Sequence, residues 1–218
     1  MTEKSLVEIT EDVFTDVLAI FGLPAASASG LFGGFLRSKL DESLKILLAE
    51  LRAGEVSSLH VASENETVAV CYRYLLAARD GVARRNLRLL ARTMTGLAER
   101  DRLFSDEFNK YAGVLEGLTR DQILYLGRYY ALYQEEIQKT DDEGAARQTA
   151  KDRLTGELIP RHFPSEQHLE YLVSQAVGLG LLLTASAWGT LVYRFSPLMD
   201  EIAELADFQD VLRQEGEL

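Results

Sequence analysis

Proline is the residue that most firmly interrupts a helix, and this chain has four in 218 residues, at positions 24, 160, 164 and 197. A proline in a helix interior costs about 3 kcal/mol, so its scarcity leaves long stretches in which the helical period can show. It does show. Leu40, Leu44, Leu47, Leu48 and Leu51 fall on one helical face, and Gly54 follows at the position favoured for ending a helix. Ser63 to Glu66 reads as a capping box, in which the serine oxygen accepts an orphan backbone N–H and Glu66 reaches back. The helix behind it runs to about Arg79 with Val68, Cys71, Tyr72, Leu75 and Leu76 as its apolar positions, and Gly81 breaks or bends it. Further helices cover roughly 82–98 and 105–116, the second stopped by Gly117.

A second capping box, Thr119-Arg-Asp-Gln122, opens the most apolar helix, Thr119 to Lys139. Ile123, Leu126, Tyr130, Tyr133 and Ile137 repeat at three- and four-residue steps, and Tyr125, Tyr129 and Leu132 occupy another side. A helix apolar on more than one face is buried or pairs with a partner, so this one is a central core helix or a homo-oligomer interface.

Two uncharged runs, Val17 to Leu36 and Tyr171 to Val192, approach the roughly 20 residues that span a bilayer. The first carries Gly22, Pro24, Gly30, Gly33 and Gly34, which suits two helices joined by a turn and docked on a core; Gly30 and Gly34 also have the small-residue spacing of helices packed in lipid. The second breaks at Gly178 and Gly180. Beyond them, Leu181–Ser186 and Thr190–Ser196 flank a three-residue connection, Ala187-Trp188-Gly189, and Leu191, Tyr193 and Phe195 alternate at strand period. A hairpin explains these residues better than a span. Ser196-Pro197 then starts a closing helix, serine as cap and proline at the first position.

From Leu118 onward the order is helix (119–139), helix (142–158), helix (165–179), hairpin, helix. With Gly-Leu-Leu-Leu at 180–183 and Tyr-Arg-Phe-Ser-Pro-Leu at 193–198, this part resembles a winged helix-turn-helix. Ahead of it lie the Gly/Ala-rich apolar start, a long helix, Asn-Leu-Arg-Leu-Leu-Ala-Arg at 86–92 and Phe-Asn-Lys-Tyr-Ala-Gly-Val-Leu-Glu-Gly-Leu-Thr at 108–119. The whole layout resembles the Abi-alpha family of bacterial abortive-infection proteins. The resemblance implies a role in phage defence, and it brings no catalytic residues with it. The expected fold is mainly α, with a helical part over 1–117 and a winged-helix-like part with one small β-hairpin over 118–218.

No Gly-x-Ser-x-Gly, phosphate-cradling loop, His-Glu-x-x-His or Cys-x-x-Cys occurs. Cys71, the single cysteine, lies on an apolar helix face, where an inert thiol is expected even with His60 in the sequence; one cysteine also excludes an internal disulfide. His162 and His168, near Glu166 and Glu170, match no common helical face, and Pro164 stands between them, so a metal site is not expected. No cofactor is expected either. The reading is non-enzymatic.

The formal net charge is −11, which argues against general nucleic-acid binding. Arginines nevertheless concentrate between Arg73 and Arg102, where eight basic residues face three acids, a net +5. Arg84, Arg88 and Arg92 recur every four residues, with Arg85 beside them, and like charges so spaced need compensation. Intramolecular pairing with Glu135, Glu136 or the 141–143 acids is one answer; an anionic partner such as lipid head groups is the other. Residues 118–218 carry 9 basic and 17 acidic side chains, a net −8, and the expected recognition helix has no Lys or Arg. Specific DNA binding is therefore not expected. Trp188, at the expected hairpin tip, is a candidate anchor for a protein partner. The first eight residues carry acids where a signal peptide needs a basic region, so the expected location is cytoplasmic, with a peripheral membrane position as the alternative. Three functions follow: an interaction or regulatory protein in phage defence, a winged-helix transcriptional regulator, and a membrane-associating protein using 17–36 and the arginine helix.

Overall fold

A computed structural model describes residues 5–20, 31–54, 64–187 and 190–216. They form ten helices and one two-stranded antiparallel sheet. In order these are α1 (Leu6–Ile20), α2 (Leu31–Ala53), α3 (Glu64–Arg79), α4 (Arg84–Glu99), α5 (Ser105–Leu115), α6 (Arg120–Ile137), α7 (Glu143–Leu158), α8 (Glu166–Gly178), β1 (Leu182–Ala187), β2 (Thr190–Phe195), α9 (Pro197–Leu205) and α10 (Phe208–Gln214). The mainly helical class and the small hairpin are as the sequence indicates. The chain divides into two compact units, Met1–Gly117 and Leu118–Leu218.

In the first unit, α1 packs on α3 and α2 packs on α4, with α5 closing against α3 and α4. Leu6, Ile9, Val13 and Val17 are the buried stripe of α1, at the three- and four-residue steps that put side chains on one face. The buried face of α3 is not the one the apolar pattern suggests. Val70, Tyr74, Ala77 and Ala78 join Cys71 and Leu75 inside, whereas Val68 and Tyr72 are more than a third exposed. The rotation follows from close helix contact, which favours the alanines, and from Tyr74, whose hydroxyl donates to the Ser43 carbonyl at 2.9 Å. The capping role expected of Ser63 falls outside the described residues. Glu66 acts at a distance: its carboxylate accepts the Ser105 N–H at 2.6 Å, capping α5, whose N-cap residue Phe104 has no side-chain acceptor. That bond holds the Glu66 carboxyl below the usual carboxylate range. At the other end of α5, buried Asn86 donates to the Leu115 carbonyl at 2.7 Å, satisfying a helix-terminal acceptor from α4.

In the second unit, α6 is covered by α7, α8 and α10. Its capping box forms as the sequence indicates: Thr119 Oγ1 accepts the Gln122 N–H at 3.2 Å, and Gln122 Oε1 accepts the Thr119 N–H at 2.7 Å. Thr119→Ala should cost about 1 kcal/mol. Urea unfolding should show a lower midpoint with an unchanged slope; an unchanged midpoint would mean that the cap contributes nothing.

Gly180, at φ +73°, turns the chain out of α8 in a conformation that favours glycine, with Leu181 N donating to Ala176 O and Gly180 N to Val177 O. The strands pair from Leu182↔Phe195 to Ala187↔Thr190. Ala187 therefore belongs to the strand, and the connection is residues 188 and 189 rather than the expected three. Phe195 anchors β2 among Tyr129, Tyr130 and Tyr133 of α6, with ring centroids 4.8, 5.1 and 5.5 Å away. Ser196 Oγ accepts the Met199 N–H at 3.1 Å with Pro197 in the first turn, and α9 begins there.

Candidate functional site

The arginines of α4 were one candidate for an anionic partner, and their placement explains how the row is tolerated. Arg88 and Arg92 lie one turn apart on the side of α4 that meets α2. Arg88 Nη1 stands 2.6 Å from Glu50 Oε1, and Arg92 Nε stands 3.0 Å from Glu50 Oε2. One carboxylate thus takes two guanidinium groups, one on each oxygen. The Arg88, Arg92 and Glu50 side chains are 11%, 14% and 9% exposed, so solvent screens them little. Arg84, one turn earlier and half exposed, reaches Glu42 at 3.1 Å. Arg85 is half-buried on the adjoining side of α4. The intramolecular partners among the described residues therefore include Glu42 and Glu50 of α2. The acids that the sequence suggests are engaged elsewhere: Glu135 and Glu136 pair with Arg153 in the other unit, and Glu143 pairs with Arg147. Arg84 and Arg88 also wall an open groove of about 760 Å³ that mixes Arg37 and Lys45 with Asp41 and Glu42.

The uncharged run at 17–36 comprises the end of α1, the start of α2 and residues 21–30, which fall outside the described part. Val17 and Leu18 are buried, Phe35 is exposed, and no described helix is long and apolar enough to cross a membrane. Trp188 and His60 also lie outside the described residues.

The remaining candidates for chemistry are quiet. Cys71 is fully buried against Thr10, Sγ to Oγ1 3.4 Å, and burial pushes its thiol up to about 11, so the nucleophilic thiolate is scarce at neutral pH. His168 stacks on Phe163 at 5.2 Å between centroids, with Nε2 4.0 Å from Asp121. Burial, then Arg161, lowers the His162 pKa. Among the described residues, no three His, Cys, Asp or Glu side chains are grouped to hold a metal ion.

The second unit presents two features on and beside α8. The helix buries Leu169, Leu172, Val173 and Ala176, the apolar face read from sequence. It exposes Glu166, Gln167, Glu170, Tyr171 and Ser174. Tyr171 is 59% exposed, with its hydroxyl accepting from Gln175 Nε2 at 2.7 Å. Beside this surface, α6, α7, α8 and β2 enclose a cavity of about 290 Å³, floored by Tyr125, Tyr129 and Tyr193 and edged by charged residues of α7 and α8. Burial raises the pKa of Tyr125 strongly and that of Tyr129 to about 12, so both hydroxyls stay protonated donors. Sequence reading missed this cavity. Its tyrosines register only as a second apolar side of α6, and nothing local shows which helices would close over them.

The chain matches no protein-family profile, no curated protein and no solved structure.

Proposed function

We propose that this chain is a non-enzymatic interaction protein whose C-terminal unit is a winged-helix-like module turned to protein recognition, acting in the phage-defence class that the Abi-alpha resemblance implies. The order α6, α7, α8, hairpin, α9 supports the winged-helix reading. The exposed face of α8 carries the functional reading. In a DNA reader that face meets base edges and phosphates and needs cations to position it. Here it offers Glu166 and Glu170 without Lys or Arg, and a tyrosine open to solvent. Acids beside a phosphate backbone repel it, whereas an exposed aromatic ringed by polar side chains suits the centre of a protein contact. Cys71 and the histidines, where they are described, contribute nothing that favours catalysis.

Two measurements test this. Gel shifts on random duplex DNA at low salt, where electrostatic binding is strongest, should show no complex. Expression of the full chain in a phage-sensitive bacterial host should lower phage plating efficiency, and Tyr171→Ala with Glu170→Lys should restore it without lowering the melting temperature. Salt-sensitive duplex binding abolished by Arg194→Ala would overturn the reading in favour of a transcriptional regulator.

A further inference from the structure

The cavity between α6, α7, α8 and β2 has the features of a small-molecule site, and three independent observations say what would fill it. The first is an unpaired donor. Tyr125 is 5% exposed and lines the cavity, and its hydroxyl has no hydrogen-bond partner among the described residues. The residue is buried while its hydroxyl oxygen stays accessible, so the hydroxyl is open to pairing with water or with a group in the cavity. A group entering the cavity would supply the missing acceptor or donor.

The second is a pair of opposed charge rows that do not close on each other. On one wall α7 presents Arg147 and Lys151, one turn apart; on the other α8 presents Glu166 and Glu170, also one turn apart. Arg147 is held by Glu143 and lies over the Tyr133 ring. Lys151, Glu166 and Glu170 form no ion pair among the described residues, although they border the same space. A ligand with one charge of each sign would bridge the two rows, where a simple anion or cation would meet repulsion from one of them.

The third is size and lining. At about 290 Å³ the cavity lies just below the roughly 300–1,000 Å³ range of drug-sized ligand sites, too small for a nucleotide with its phosphates. Leu154, Leu169 and Val173, all buried, give it an apolar wall facing the tyrosine rings.

We infer that this cavity binds a free aromatic α-amino acid. Its ring lies between the tyrosines and the aliphatic wall, its carboxylate is at Lys151, and its ammonium is at Glu166 and Glu170. A polar ring substituent meets the Tyr125 hydroxyl. The site shares Glu166 and Glu170 with the exposed face of α8, but the tyrosine floor and Lys151 belong to the cavity, so the inference survives if docking on that face is disproved.

Titration calorimetry on the full chain with L-tyrosine, L-phenylalanine, tyramine and hydroxyphenylpropionate tests it. L-tyrosine should saturate one site. Tyramine lacks the carboxylate and hydroxyphenylpropionate lacks the ammonium, so each should bind about tenfold more weakly, the loss of one charged contact. The variants should cross. Lys151→Ala should weaken L-tyrosine but leave tyramine unchanged, and Glu166→Gln with Glu170→Gln should weaken L-tyrosine but leave hydroxyphenylpropionate unchanged. Tyr125→Phe should reduce L-tyrosine to the level of L-phenylalanine. Melting temperatures of all variants check that folding is retained, and the charged positions are at the exposed edge, where substitution is tolerated. No saturable binding of any of the four at millimolar concentration would overturn the inference. So would an affinity indifferent to the missing charge or to these substitutions.

Discussion

Replacing Glu50 by Gln is expected to destabilise the N-terminal unit by about 3 kcal/mol, because one substitution removes a carboxylate shared by two nearly buried guanidinium groups. An amide keeps the shape and one acceptor oxygen but no charge, so Arg88 and Arg92 would both lose this carboxylate while standing one turn apart. For a unit of this size the loss corresponds to a fall of about 10 °C in melting temperature. Breaking such a cluster costs more than the cluster contributes when intact, since its favourable pairing is offset by the dehydration of three charges. A second variant separates these quantities. Exchanging all three together, Glu50→Leu with Arg88→Met and Arg92→Met, should recover most of the stability lost by Glu50→Gln alone. Arg88→Glu should also lower the melting temperature, by setting a second acid against Glu50, and should leave flotation with anionic liposomes unchanged. If flotation disappears while stability holds, the arginine row is a membrane-binding face and its pairing with Glu50 is incidental.

Gly127→Val is expected to release α10 from α6. Gly127 lies in the interior of α6, where a glycine costs about 1 kcal/mol relative to alanine, so the position must gain something by having no side chain. It gains contact distance. A Cβ at 127 would lie 2.7 Å from the Phe208 Cβ, and no rotamer change relieves a clash with an atom attached directly to the backbone. The close approach also lets Gln209 Nε2 donate to the Gly127 carbonyl at 3.3 Å. Through it α10 buries Phe208, Val211 and Leu212, each at 3% exposure or less. Overpacking costs about 1–3 kcal/mol by itself, and a helix pushed off its seat loses about 1.5–3 kcal/mol for each large apolar side chain returned to water. Thermal melts should show the loss, and limited proteolysis should cut the variant near 206–207, ahead of α10, where the parent protein resists. A Gly127→Ala protein that melts higher than the parent and resists proteolysis equally would show that the contact is loose.

These two sites show where sequence stops being legible. Helix ends were readable because the groups that make them lie within four residues of each other. Thr119 and Gln122 cap each other, Ser196 and Pro197 open α9, and the conformation at Gly180 ends α8, each a local bond between chain neighbours. The hairpin was readable for the same reason, since alternation at Leu191, Tyr193 and Phe195 is a property of the strand itself. Its extent was not: the pairing of Ala187 with Thr190 depends on the partner strand.

Long-range partners left no such trace. The arginine row announced that compensation was needed, yet the compensating acids were misassigned, because Glu50 is 38 residues from Arg88 in sequence and becomes its neighbour only when α2 packs on α4. Periodicity placed an apolar face on α3, but packing against α1, α2, α4 and α5 fixed its rotation, turning Tyr74 inward and Tyr72 outward. The cavity is the extreme case, since four elements from α6 to β2 each contribute one wall and none is recognisable alone. The sequence by itself determined how α6 and α9 begin, how α8 ends and that a hairpin follows it, but not the break between α9 and α10, because capping, turn conformation and alternation are decided within a few residues. Tertiary structure alone decided which charges meet, which faces are buried and where an empty space remains, because those depend on distances between elements that no local pattern encodes.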